Sequence, residues 1–231
     1  MADQNRILVP LLLSFTAGYV DTAGFLALQG LFTAHVTGNF VTFGASLALG
    51  TSGALAKLLA LPVFCVVVIA VRIVGTLLSK YWRPVFEILL GFKIVLLIAG
   101  AALAIWLGPF HDGDSPPAVL TGMVFVSAMA IQNAVHRVYL GGAPPSTLMT
   151  GTTTQIMIDL ADIVVRGSDG RPAGARSGKM ALNVLLFAIG CGAAALLFIR
   201  FEMWCFVLPP IASLASLAIR LADPEVASQH I

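Results

Sequence analysis

The sequence predicts an all-α integral membrane protein, one membrane domain spread over residues 1–231. Three observations carry that prediction: charge is scarce, apolar segments recur at bilayer length, and the charges that exist cluster in short connections. Charged residues make up 10% of the chain and hydrophobic residues 58%, with a mean hydropathy of +0.96, whereas soluble domains carry roughly 25% charge. Thirteen Lys and Arg with eleven Asp and Glu cannot cover so much Leu, Val, Ala and Ile in water. The basic residues form no run, which excludes a nucleic-acid footprint.

A spanning helix needs about 20 mostly apolar residues, and six segments meet that test: Val9 to Gln29, Leu58 to Leu78, Val85 to Leu107, Ala118 to Val135, Met180 to Ile199 and Met203 to Leu221. The first is read as a span and not as a cleaved leader, because its apolar character continues past Ala17 to Leu28 and Asp3 interrupts the basic start. Between the six lie Leu31 to Gly50 and Thr147 to Val165. Both are apolar enough to enter a membrane, yet they carry Thr37-Gly38-Asn39 and Thr150-Gly151-Thr152. Cys65, Cys191 and Cys205 fall inside apolar runs without metal-ligand spacing and read as small core residues, so no metal and no cofactor is expected.

Cytoplasmic loops collect Lys and Arg. The two dense basic loops hold Lys80 with Arg83, and Arg166, Arg171, Arg176 with Lys179. If both Thr-Gly segments enter and leave on one side, both loops share the face of Arg6, and the acidic His111 to Asp114 loop lies opposite. Full crossing by both segments would put the two basic loops on opposite faces. The expectation is therefore six spans plus two Gly-broken or re-entrant helices, with both termini cytoplasmic in a bacterial inner membrane; the alternative is eight spans. Non-helical backbone at membrane depth is tolerated only where protein buries it or it lines a cavity.

An internal repeat is readable. Ala17 to Ala23, containing Asp21, lies over Ala128 to Ala134, containing Gln132 and Asn133, and a Thr-Gly pair follows each. Residues 9–107 and 118–221 then form two halves of three spans, which must be inverted relative to each other, as in many secondary transporters. Eight spans would instead give parallel repeats.

Ala17-Gly18-Tyr19-Val20-Asp21 followed by His35-Val36-Thr37-Gly38-Asn39, with Gln132-Asn133 followed by Thr150-Gly151-Thr152, resembles the YoaK-like family of bacterial membrane proteins, a domain of unknown function. The resemblance covers nearly the whole chain and implies a helical inner-membrane protein. It implies no activity.

The candidate site residues are the polar groups within apolar segments. A carboxylate at membrane depth faces the bundle interior and a partner, which singles out Asp21, flanked by Gly18 and Gly24, as a proton- or cation-coupling group or an interhelical hydrogen-bond acceptor. Thr37, Gly38 and Asn39, and Thr150, Gly151 and Thr152, offer hydroxyls, an amide and backbone N–H groups where a helix starts, suited to a solute or ion and equally to an ordinary N-cap. His35 is placed to shuttle protons or to hydrogen-bond at the interface. Gln132 and Asn133 occupy the repeat position of Asp21, as site or as interhelical glue. Arg72 is expected to snorkel or to pair with Asp21. Glu87 and Lys93 are expected to reach an interface, and Asp159 with Asp162 to form an interfacial salt bridge near Arg166.

These features point to a small transporter or permease for a small solute or ion of unknown identity, coupled through Asp21. The alternative is a non-catalytic scaffold or assembly protein; an intramembrane enzyme on a lipid lacks a nucleophile, metal or carboxylate-pair motif in any span. The expected partners are the lipid bilayer, the solute and a second copy in a homodimer that would brace the moving parts.

Overall fold

The computed structural model describes residues 2–81, 84–147, 149–166 and 171–222. Arg83 lies outside the described residues, as do the side chains of Arg6, Arg166 and Arg171. Among the described residues eight α-helices follow in order: α1 (Ala2–Ala27), α2 (Asn39–Leu49), α3 (Ala54–Ser79), α4 (Val85–Leu107), α5 (Pro116–Tyr139), α6 (Met149–Arg166), α7 (Arg171–Phe201) and α8 (Leu208–Leu221). No strand occurs among the described residues. Among the described residues, five stretches are long and apolar enough to cross a membrane: α1 from Ile7, α3, α4, α5, and a continuous run Arg176–Leu221 that takes in α7 from Arg176 and all of α8. The molecule is thus a membrane-embedded helical protein, and α2 and α6 are not among those stretches.

The predicted segments match the helices in place and differ at their ends. Met203 to Leu221 is not one helix: Glu202–Val207 is a tighter 3₁₀ turn, and α8 starts only at Leu208. Pro209 and Pro210 fit the division, because prolines without N–H groups are favoured in the first helical turn and disfavoured further inside. Leu31 to Gly50 begins without regular structure, bends at Thr33, Ala34 and His35, turns through Val36–Gly38 and becomes α-helical only at Asn39. Gly50 ends α2 in the left-handed conformation, φ 64°.

Two ends of the bundle can be identified from contacts. At the acidic end, the Gln29 amide donates to the Phe110 carbonyl (2.9 Å), Gly53 N–H and Leu55 N–H donate to the Asp114 carboxylate (2.9 and 2.8 Å), and Gly113 N–H donates to the Ser52 hydroxyl (3.1 Å). The end of α1, the end of α2, the start of α3 and the α4–α5 loop therefore meet. At the basic end, Phe86 meets Tyr139 edge-on at 6.3 Å, Gly75 faces the Tyr139 hydroxyl, and Arg220 Nε pairs with Glu87 at 2.9 Å. There α3, α5 and α8 finish and α4 begins. The segment between α1 and α3 leaves and returns at one end.

The helices pack in matched pairs. α1 lies against α7 and α8, α5 against α3 and α4, α4 against α8, α2 on α3, and α6 on α7. The α1–α7 contact is close because Gly18 meets the Phe187 backbone and Gly190 meets the Phe15 backbone, so a Cβ at either glycine would collide with main chain. Asp159 fastens α6 to α7: it accepts from Arg176, from the Ser177 hydroxyl (2.8 Å) and from Gln155 (2.8 Å). The Arg176 hydrogen bonds hold the Asp159 carboxyl well below the usual carboxylate range. An ion pair forms at Asp159 as expected, but its partner is Arg176 of α7 and its carboxylate is buried and not at an interface; the side chain of Arg166 lies outside the described residues.

Two expectations are corrected here, and one pair of alternatives is decided. Lys93 does not reach an interface; it is fully buried on α4, with 0% exposure. Glu87 does lie at a helix end, bound by Arg220. Arg72 does not join Asp21; it is exposed on α3 and lines a groove of about 160 Å³ with Arg137 and Tyr139. Of the cysteines only Cys205 is a core residue, while Cys191 is half-buried and Cys65 exposed, because α3 turns much of its surface outward to lipid.

Candidate functional site

Asp21 sits on α1 with its side chain 5% exposed and receives three consecutive backbone amides on one oxygen: Thr33 N–H at 2.8 Å, Ala34 N–H at 2.7 Å and His35 N–H at 3.2 Å. Successive amides converging on one anion form a backbone nest. The Thr33 hydroxyl adds a bond to the Val20 carbonyl (3.2 Å), and Gly24 lets Thr33 lie against α1. Asp21 thereby folds the bent segment 31–35 back along the helix it has just left.

Asn39 completes this hairpin. Its side-chain oxygen accepts from Phe32 N–H (2.9 Å) and its amide donates to the Phe32 carbonyl (2.8 Å), so its polar group is spent within the chain. Thr37 and His35 remain exposed and Gly38 half-exposed at the tip, with the His35 ring 5.7 Å from the Phe32 ring. The first α2 turn therefore starts beside a polar, accessible tip.

The second half repeats this construction with neutral groups. Gln132, 1% exposed, donates to Ser146 Oγ (3.2 Å) and to the Leu13 carbonyl of α1 (2.8 Å); Asn133 donates to Thr147 Oγ1 (2.8 Å). Asp21 to His35, Gln132 to Ser146 and Asn133 to Thr147 are all 14 residues apart. Asn183 of α7 secures the same segment by donating to the Pro144 and Pro145 carbonyls (3.1 and 3.2 Å). Thr150 and Gly151 are exposed at the start of α6, and Thr152 is buried. Thr150 also lines an open concavity of about 710 Å³ along α6 with Thr153, Thr154 and Met157.

The two clusters do not merge. Gln132 touches α1 at Leu13, eight residues and about 12 Å along the helix from Asp21. Sequence reasoning singled out the polar residues of both clusters, took Lys93 to an interface and did not single out Ser213 or Ser216. Lys93 on α4 and Ser213 and Ser216 on α8 are each 0% exposed, and Lys93 Nζ, both serine hydroxyls and Gln132 Oε1 have no hydrogen-bond partner. A lysine in the middle of an apolar span was the available signal for Lys93. Single serines in an apolar helix carry almost none.

The chain is 29% identical over 200 residues to the UPF0700 transmembrane protein YoaK of Bacillus subtilis (strain 168), covering 84% of this chain and 85% of that protein. No solved structure matches the chain. The family described as "Protein of unknown function (DUF1275)" matches residues 9–219. With the match running from the first helix to the end of the last, the chain belongs to the DUF1275 family of membrane proteins.

Proposed function

We propose that this protein is a small secondary transporter or permease built from two inverted repeats of three spans, α1, α3, α4 and α5, α7, α8, each interrupted by a re-entrant hairpin. One observation carries the reading: exchanging the halves maps the main packed pairs onto one another, so that α1 on α7 and α8 corresponds to α5 on α3 and α4, and α2 on α3 to α6 on α7. Inverted repeats with broken segments meeting at depth are the plan that lets one bundle rock against another around a fixed site. In this plan the first hairpin enters from the acidic end and the second from the basic end, the basic end being cytoplasmic. Asp21 is the latch of the first hairpin. As a carboxylate it accepts three amides; a proton on it weakens that cradle and frees the segment to move, which couples a proton to the hairpin.

Two free cysteines test this. Thr37→Cys should react with a membrane-impermeant maleimide only from the acidic-loop side of sealed vesicles, and Thr150→Cys only from the basic-loop side. Failure of both to react from either side would remove the transporter reading, because no aqueous path would reach the hairpin tips. One observation favours the alternative of a non-catalytic scaffold: the Asn39 amide and the engaged Asp21 oxygen are already used by the chain itself. A scaffold predicts the same silence at Thr37 and Thr150.

A further inference from the structure

The α4–α5 pair has a readable register. Gly100 packs against the Phe125 ring and Phe86 against Tyr139, so α4 and α5 run antiparallel with these residues level. Seven residues from each contact, midway between them, stand Lys93 and Gln132. The α4–α8 pair is pinned by Glu87 and Arg220. Six residues along α4 is Lys93; four and seven residues back along α8 are Ser216 and Ser213. Three helices thus bring Lys93, Gln132, Ser213 and Ser216 to one depth, and all four are at least 99% buried.

Among the described residues, these four polar atoms make no hydrogen bond to one another or to any other group, so their capacity is open to a ligand that bridges them. Lys93 Nζ is a buried amine that carries positive charge when protonated, and a buried charge requires a partner. Neither an acid nor any other acceptor bonds it. The two hydroxyls add donors. Gln132 Oε1 can only accept, and its orientation is set because Nε2 must face the Leu13 carbonyl, itself an acceptor.

We infer that Lys93, Gln132, Ser213 and Ser216 form a binding site for a small carboxylate that also carries a hydroxyl. The carboxylate takes Lys93 and the serine hydroxyls, and the ligand hydroxyl donates to Gln132 Oε1. A halide would satisfy the donors and leave Oε1 unmet. This deepens the transporter reading and rests on it only for the route by which a solute arrives.

The test uses the purified full-length chain in neutral detergent, with its thermal unfolding midpoint followed against glycolate, acetate and chloride at constant ionic strength balanced by a bulky sulfonate. Glycolate should raise the midpoint at concentrations at least tenfold lower than acetate, and acetate lower than chloride. Lys93→Met keeps the side-chain length and removes the charge, so it should fold and lose all three responses. Gln132→Met should bring glycolate down to the acetate response while leaving acetate effective. No shift in the unsubstituted chain with any anion, or an equal shift in Lys93→Met, overturns the site. Lys93-dependent binding without maleimide reaction at Thr37 or Thr150 would remove the transporter reading and keep the site. Reaction at those cysteines without Lys93-dependent binding would do the reverse.

Discussion

Asp21 shows how one side chain can read as function from its position and act first through its geometry. A carboxylate in a span called for a partner, and three amides twelve to fourteen residues later supply it. Asp21→Ala leaves three buried N–H groups without their acceptor, which should cost about 3–5 kcal/mol and lower the thermal midpoint in detergent. Asp21→Asn keeps an oxygen for the same amides and should cost only about 1–2 kcal/mol. If Asp21 also couples a proton, Asp21→Asn yields a folded protein whose hairpin no longer responds to pH, read as pH-independent maleimide reaction at Thr37→Cys. Equal pH response in both proteins would leave Asp21 a purely structural latch. Lys93 carries the opposite lesson, since a long basic side chain in a span can snorkel or be trapped, and only its neighbours decide.

At the scale of elements, the two hairpins differ in how they are fastened. α2 is tied to α3 by Lys57 Nζ donating to Ser46 Oγ at 2.6 Å, whereas α6 is tied to α7 by the Asp159–Arg176 pair. Asp159→Ala should free α6, raising amide exchange across 149–166 while the α1–α7 contact stays protected. Because the folded-state Asp159 carboxyl titrates below its ordinary range, its contribution is present at neutral pH and is lost only as pH falls through that depressed value. The α1–α7 crossing depends on backbone approach, so Gly190→Leu should cost about 2 kcal/mol or more through forced separation of the helices. Unchanged stability of that variant would mean the two helices can part without loss.

At the scale of the whole molecule, the ends of α1, α2 and α4 and the start of α3 gather at the acidic end, and the ends of α3, α5 and α8 with the start of α4 gather at the other. Cysteines at Lys80 and Lys179 should therefore label from one face of sealed vesicles, and a cysteine at Asp112 from the other. Lys80 and Lys179 labelling from opposite faces would establish eight crossings and parallel repeats.

The order of apolar segments and the helix starts near the two Thr-Gly pairs were legible in the sequence because each rests on local properties: run length, absence of charge, and glycine or proline near a helix boundary; the second interruption itself lies before Met149, ahead of Thr150-Gly151. So were Asp21 and Gln132, since a polar group inside an apolar run stands out without knowledge of its surroundings. The partners were not. Whether Asp21 meets Arg72 or a nearby segment of its own chain, whether Lys93 escapes to an interface, and whether two serines on α8 stand level with it depend on helix register and rotation, which are set by contacts between residues more than a hundred positions apart. Glycine crossings such as Gly18 with α7 and antiparallel pairs such as Gly100 with Phe125 decide those rotations. The sequence by itself determined that this protein lives in a membrane and where its backbone breaks; the tertiary structure alone decided which buried polar groups face each other, because that is a property of packed surfaces and not of any one segment.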